Sequence, residues 1–455
     1  MFLGLDRHSS AKAVYEAATD RWLSYDDLRE AVRERCEELG SPARALIFLF
    51  CRNDLRSVAM YLASFEAGHA VALLDDGLIA ESKTALIDLY RPELISTGLD
   101  VPHPDYERVG EALWRRRTED DAGLHSDLAL LLSTSGSTGS PRFVRLTRGN
   151  VEANAESISE VLEIGPADCA ITSLPIHYSY GLSVLNTHLL HGGSIALTDQ
   201  GLLEPGFWET FRKAECTSFA GVPYLYQILR RLDPARLRIP TLNTMTQAGG
   251  RMDPAMIAKF SSWIAERGGR FFVMYGQTEA TARISILPSS ALPEKLGSVG
   301  PPIPGGRAAI DPETGELLYS GPNVMMGYAA SREDLALGDQ LSGTLRTGDL
   351  ARLDEDGHIF ITGRAKRDAK VFGLRINLDE VENLLRAHGP VAVIGKGEAL
   401  RIYCEHGDEE VFAGHRRELS ERLRIHHSAF VFRRLESLPL TPNGKIDYQK
   451  LTGLP

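Results

Sequence analysis

Residues 133–139 read Ser-Thr-Ser-Gly-Ser-Thr-Gly, directly after the apolar run Leu128–Leu132. Gly136 and Gly139 permit positive φ and let backbone N–H groups approach an anion closely. Ser133, Thr134, Ser135, Ser137 and Thr138 add hydroxyl donors to the same loop. Such a loop grips phosphate as a backbone nest does. It is not the nucleotide-kinase version, GxxxxGK[ST], because Ser140-Pro141 stands where the lysine would be. By itself, the stretch is equally a Ser/Gly-rich surface turn.

The elements around the loop follow from hydrophobic periodicity. Residues 24–39 place Leu28, Val32, Cys36 and Leu39 on one helical face, with Ser24 as N-cap and Asp27 three residues on. RALIFLFC reads as a buried strand, SVAMYLASFEAG as a helix ending at Gly68, and AVALLD as the next strand. The pattern returns at LALLLST, CAITSLP, SIALTD, TSFAGVP, LNTMTQAGG and RFFVMYG. Continuous apolar strands separated by amphipathic helices predict an α/β fold of mostly parallel sheets covered by helices. Near residue 300 the texture changes to short segments split by Gly, Asp and Pro, which predicts a small β-barrel-like antiparallel part. A helix follows at LDEVENLLRAHG, with Leu378, Val381, Leu384 and Leu385 on one face and Gly389 at its end. A further helix is predicted around residues 408–424. The expected division is a large N-terminal domain, 1–364, and a small α+β C-terminal domain, 365–455.

The chain has 455 residues and a net charge of −11, which opposes non-specific binding to nucleic acid or anionic membranes. Its five cysteines lie at no CxxC spacing, so reduced thiols in a cytoplasmic protein are expected rather than a zinc knuckle or redox pair. No secretory signal or membrane-length apolar run is visible.

STSGSTGSPRFVRLTRGN resembles the signature of the adenylate-forming superfamily of acyl- and aryl-CoA synthetases, amino-acid adenylation domains and luciferase-like enzymes. Further matches follow in order: LPIHYSYGL (174–182), GVPYLY (221–226), QAGGRMDP (247–254), YGQTEAT (275–281), GSVGPPIPG (297–305), GELLYSGPNVMMGY (315–328), RTGDLARLDEDGHIFITGR (346–364), KVFGLRINLDEVE (370–382) and PLTPNGKID (439–447). The resemblance covers residues from about 24 to about 448. It implies that a carboxylate attacks ATP to give acyl-AMP and pyrophosphate, and that a pantetheine thiol then displaces AMP. The carboxylate is itself the nucleophile, so the first step needs cations and donors around phosphorus rather than a general base.

Carried over residue by residue, the resemblance makes Lys445 the catalytic lysine and Asp349 the acceptor of both ribose hydroxyls. Arg364 helps hold ribose or phosphate. Glu279 becomes the Mg²⁺ ligand, a hard oxygen suited to that ion. Thr278 and Thr134 touch phosphate with the rest of the 134–139 loop. Tyr275, followed by Gly276, stacks on adenine, with Gly249 and Gly250 on the other face. His177 sits beside the acid, and Ser179, Gly221, Val222, Gln247 and Met274 line its pocket. Lys366 is the hinge of the small domain, whose rotation exchanges Lys445 for a loop at Gly373 beside the thiol channel.

Amino-acid-activating relatives carry an aspartate near the place of Ser179; residues 176–183, IHYSYGLS, contain no carboxylate. An unpaired ammonium would be costly there, so the expected substrate is an aryl, cinnamic-like or short-to-medium aliphatic acid without an α-amine. Two departures stand out. GSPRFV replaces the usual GKPKGV, losing one cation at Ser140 and keeping another at Arg142, and VAVIGKGEALRIYCEHGD shortens the middle of the C-terminal domain. CoA, a carrier protein's phosphopantetheine and an amine all stay open as acceptors. An adenylate-forming amide synthetase and a non-catalytic nucleotide-binding module are the competing readings.

Overall fold

The computed structural model describes residues 1–455 except 41–42, 99–102, 119–122, 134–141, 366, 373, 424, 442–444 and 455, and gives the backbone alone for 368, 370, 374 and 375. The chain divides into two compact units, residues 1–307 with 320–345, and residues 308–319 with 346–455.

The first unit is built on two eight-stranded sheets. One runs Ser285–Leu287, Arg270–Tyr275, Thr244–Gln247, Ser218–Gly221, Cys169–Ile171, Ser194–Leu197, Lys12–Glu16, Arg21–Ser24. Its inner six strands are parallel and its two edge strands antiparallel. Side chains alternate between its faces. Phe219, Phe271 and Val273 enter one core with Phe207, Phe211 and Tyr226. Ala220, Phe272 and Met274 enter another with Ile158, Leu162 and Tyr180. Ile158 and Leu162 come from the helix Arg148–Leu162 and Tyr180 from the helix Ser179–Leu190, which cover that face.

The second sheet pairs Leu46–Cys51 in parallel with Ala70–Asp75 and Leu94–Ser96, and Ala70–Asp75 with Leu128–Ser133. Phe143–Thr147 then returns antiparallel, with Ser133 opposite Phe143. Helix starts follow local chemistry. The Ser24–Asp27 capping box opens Tyr25–Leu39, and a Thr147–Asn150 box opens Arg148–Leu162.

A four-stranded sheet, Arg307–Ile310, Glu316–Ser320, Thr344–Leu353, Ile359–Arg364, belongs mainly to the second unit. Beyond it lie the hairpin Asp368–Val371/Leu374–Asn377 and a sheet of Val391–Lys396, Ala399–Cys404 and Phe430–Arg434. Val381, Val393, Leu400, Ile402 and Phe430 form its core under the helices Leu378–Leu385 and Glu409–Leu423. The shortened middle segment is the hairpin Val391–Lys396/Ala399–Cys404, turned at Gly397 with φ 62°.

Candidate active site

Parallel pairing brings the carboxyl ends of three strands to one edge of the first sheet, with Gly221 opposite Gln247 and Gln247 opposite Val273. That edge is where open α/β sheets place ligands. Gln247 is 1% exposed and its Nε2 donates to the Gly250 carbonyl at 2.7 Å, which shapes the turn beyond the strand. Gly249 has φ +81°, and a Cβ there would stand 2.7 Å from Tyr178 Oη and 2.9 Å from Val222 Cγ1. Only glycine fits both the conformation and the space. Gly249, Val222 and Tyr178 are thus in mutual reach, with Gly250 against Pro223.

The third strand ends at the half-buried Tyr275, and the chain turns through Gly276 into the short helix Thr278–Ala280. Thr278 Oγ1 lies 3.4 Å from Oγ of Ser179, the first residue of the Ser179–Leu190 helix. A residue expected on phosphate and one expected on the acid are therefore neighbours. Glu279 accepts the Tyr328 hydroxyl at 2.7 Å, and the Arg142 guanidinium lies 4.7 Å from the centre of the Tyr328 ring. The cation that the loop signature keeps is tied to the expected metal ligand through one tyrosine. Glu279 fits a hard cation: it is half-buried, and among the described residues its second carboxylate oxygen accepts no protein hydrogen bond.

His177 stands in the turn before that helix. Burial lowers its pKa, opposed by Asp75, so the ring is neutral near pH 7. His188, on the Ser179–Leu190 helix, and His69, just before the strand Ala70–Asp75, are lowered for the same first reason. In each case the folded pKa lies below the unfolded value near 6.5, so the unfolded chain takes up the proton first. Their contribution is complete above about pH 6.5 and is lost as pH falls toward the folded values, at up to about 1.4 kcal/mol per pH unit for each ring. Melting temperature should therefore drop between pH 7.5 and 5.5, and His188→Gln should flatten the slope; equal melting temperatures across that range would contradict the assignment.

In the second unit, Asp349 and Arg364 are directly opposite one another on adjacent strands, with Arg364 Nε 3.3 Å from Asp349 Oδ1. Asp349 is buried and follows Gly348, whose φ is 73° and whose N–H donates to Glu316. Lys445 sits in a loop closed on itself: its carbonyl accepts from Thr441 N at 2.7 Å and its N–H donates to Thr441 Oγ1 at 3.2 Å. Three residues on, the Tyr448 hydroxyl donates to the buried Glu382, which also pairs with Arg367 at 2.7 Å. One carboxylate thereby ties the chain beside Lys366 to the chain beside Lys445. Lys366, Gly373 and the loop Thr134, Ser135, Gly136, Ser137, Thr138, Gly139 lie outside the described residues.

Sequence reasoning missed Tyr178, Tyr328, the Arg367–Glu382 pair and Arg283. Arg283 is the one charge in a mostly apolar run, ARISIL, and that charge is its visible signal.

A family model for the AMP-binding enzyme matches residues 5–329, and the chain belongs to that family. It is 30% identical over 350 residues to sulfoacetate–CoA ligase of Cupriavidus necator, covering 71% of this chain and 66% of the relative. It is 33% identical over 286 residues to feruloyl-CoA synthase of an Amycolatopsis species, covering 59% and 56%. The chain thus spans between about half and two thirds of the length of these relatives. Its fold matches that of O-succinylbenzoate coenzyme A synthetase from Bacillus subtilis in complex with AMP, at a TM-score of 0.77 and 21% identity over 98% of this chain and 96% of that one. Among the described residues no helix is long and apolar enough to cross a membrane.

Proposed function

We propose that this protein is an AMP-forming acid–thiol ligase acting on a carboxylic acid without an α-amine. A carboxylate oxygen of the acid bonds to the α-phosphorus of ATP, the bond to the β-phosphate oxygen breaks, and pyrophosphate leaves. A pantetheine thiol then attacks the acyl carbon, releasing AMP and leaving a thioester. The observation that carries this reading is the 3.4 Å contact between Ser179 and Thr278, which sets the helix start expected at the acid against the turn expected at phosphate.

Around that point the residues divide the work. Thr278 and the 134–139 loop donate to phosphate, Tyr275 and Gly249–Gly250 flank adenine, and Asp349 with Arg364 holds ribose. Glu279 would hold Mg²⁺, which would supply charge neutralisation when bound. Neutral His177 borders the acid without adding a charge. Lys445 completes the cation set for adenylation. The small C-terminal part, from residue 365, turns about Lys366 to exchange Lys445 for Gly373, an exchange of a kind that often limits turnover. CoA is the favoured acceptor, with a carrier protein's phosphopantetheine as the alternative. All five cysteines are free thiols, which fits a reducing compartment such as the cytoplasm.

The named acids of the relatives differ. Sulfoacetate and O-succinylbenzoate carry a second anionic group and ferulate does not, so those names leave the acid open. Pyrophosphate release, measured with ATP, Mg²⁺ and a panel of acids, tests the reading. Release should depend on acid, and mass spectrometry after adding CoA, a phosphopantetheinylated carrier protein or an amine should find the thioester. No acid-dependent release with any acid would overturn an enzymatic role, and an amide in place of a thioester would make this an amide synthetase.

A further inference from the structure

A narrow cavity runs down the face of the first sheet covered by the Arg148–Leu162 and Ser179–Leu190 helices. Ile158, Leu162, Val184 and Ala220 give it an apolar wall, and Tyr180 and Arg283 line it as well. Arg283 is 3% exposed. Its Nη1 donates to the Ala282 carbonyl at 3.1 Å, its Nε reaches Met274 Sδ at 3.3 Å, and its Nη2 reaches Ser183 Oγ at 3.5 Å. The guanidinium carbon lies 4.0 Å from the centre of the Tyr180 ring. Among the described residues no carboxylate pairs with it. Asp168 also borders the cavity, but its oxygens accept from Gly165 N at 2.9 Å and Thr217 Oγ1 at 3.2 Å.

Other buried arginines of the same unit are used differently. Arg145 directs its guanidinium to the carbonyls of Tyr328, Met326, Leu337 and Gly338 and to Gln340 Oε1. Arg332 is paired with Glu93 at 2.6 Å. Arg283 has five N–H donors, of which one meets a sulfur and another a hydroxyl at the limit of hydrogen bonding. A buried charge without a counter-charge is costly. An arginine in that condition, on the wall of a cavity, has the chemistry of a receptor for an anion that arrives with the substrate.

Its position sets the geometry of that substrate. Ser179 touches Thr278 at the expected phosphate end. Ser183, next to Arg283, is four residues further along the same helix, hence roughly 6 Å deeper. Resting on the reading of this site as acid-activating, we propose that the substrate carries a second anionic group, carboxylate or sulfonate, about one helical turn from the reacting carboxylate and bound by Arg283 with Ser183. The planar fork of arginine matches either oxyanion with two parallel hydrogen bonds.

Matched acids sharing one skeleton test this: pentanoate, glutarate and 4-sulfobutanoate in ATP–pyrophosphate exchange. The wild-type protein should favour the two dianions by roughly 10²-fold or more in kcat/KM, the discrimination expected when a buried polar group is left unpaired by the analogue. Arg283→Met should collapse the dianion-to-monoanion ratio by a similar factor, and Arg283→Lys should keep part of it. Pentanoate equalling glutarate in the wild type, or Arg283→Met leaving the ratio intact, would overturn the proposal. Thermal shift of the wild-type protein separates this inference from the broader one. Glutarate should raise the melting temperature more than pentanoate does even if no exchange occurs, and equal shifts would count against Arg283 as the receptor. Exchange with pentanoate alone would leave the ligase reading standing and remove this one.

Discussion

Replacing Lys445 by alanine should lower acyl-adenylate formation by roughly 10²–10³, the scale of losing one preorganised donor at developing charge. On the proposed reading the reason is electrostatic: an anionic carboxylate has to approach a polyanion, and the loop signature has lost one cation that would help. Ser140 stands in place of one lysine, and Arg142 lies against Tyr328. That shortage makes the remaining ammonium matter more. The loop bearing it is held by reciprocal hydrogen bonds between Thr441 and Lys445 and by the Leu440–Ile446 bridge. Those contacts use the Lys445 backbone and the Thr441 side chain, so they survive truncation of the Lys445 side chain. The discriminating measurement separates the two half-reactions. Pyrophosphate exchange should fall by the full factor, while thioester formation from chemically synthesised acyl-AMP should change by less than about threefold, well under the effect of a transition-state contact. Equal loss in both steps would show that Lys445 supports the fold or the thiol step instead.

How much of this was legible in the sequence depended on how local the cause is. The Ser24–Asp27 capping box is a three-residue relation, and it forms as read. Continuous apolar strands such as ALIFLF mark themselves by composition, and Leu46–Cys51 is buried throughout. The motifs expected at phosphate, at ribose and at the catalytic lysine are legible because each is a short local string, STSGSTG, RTGDL and PNGKID, and because they follow one another in order. Relations across the fold were not visible. Nothing local says that Asp349 faces Arg364, since register depends on a shift between Leu350 and Ala351. Phe143–Thr147 looks too charged for an inner strand because of Arg145, which becomes acceptable only when a distant segment supplies its carbonyls. Arg283 is the opposite case. Its sequence context shows a misplaced charge, but only the packing of Tyr180, Met274 and Ser183 shows that no carboxylate answers it.

The largest effect outside the reacting groups is expected at Gly276. A Cβ on this residue would stand 2.0 Å from the Ala282 carbonyl oxygen and 2.8 Å from Arg283 Cα. Both obstacles are backbone, so no side-chain rotation relieves them. The two chains are also tied by the hydrogen bond from Ile284 N to Tyr275 O at 2.9 Å and by the pairing of Tyr275 with Ser285. Gly276→Ala must therefore spread this hairpin, with overpacking of about 1–3 kcal/mol or more. One arm carries Tyr275, Thr278 and Glu279, and the other carries Arg283. Displacing them by about 1 Å should reduce kcat/KM by roughly 10² or more, because orientation rather than proton transfer does most of the work in this chemistry. Gly165→Ala is the control, since a Cβ there meets nothing within 4 Å; it should stay within about 0.5 kcal/mol of the parent in stability, as open surface sites do. Near-parental exchange activity in Gly276→Ala would mean that the close approach at Ala282 does not hold the turn at Thr278. A lower melting temperature with unchanged kinetics would confine the glycine to the fold and free the reading of Thr278 and Glu279 from this hairpin.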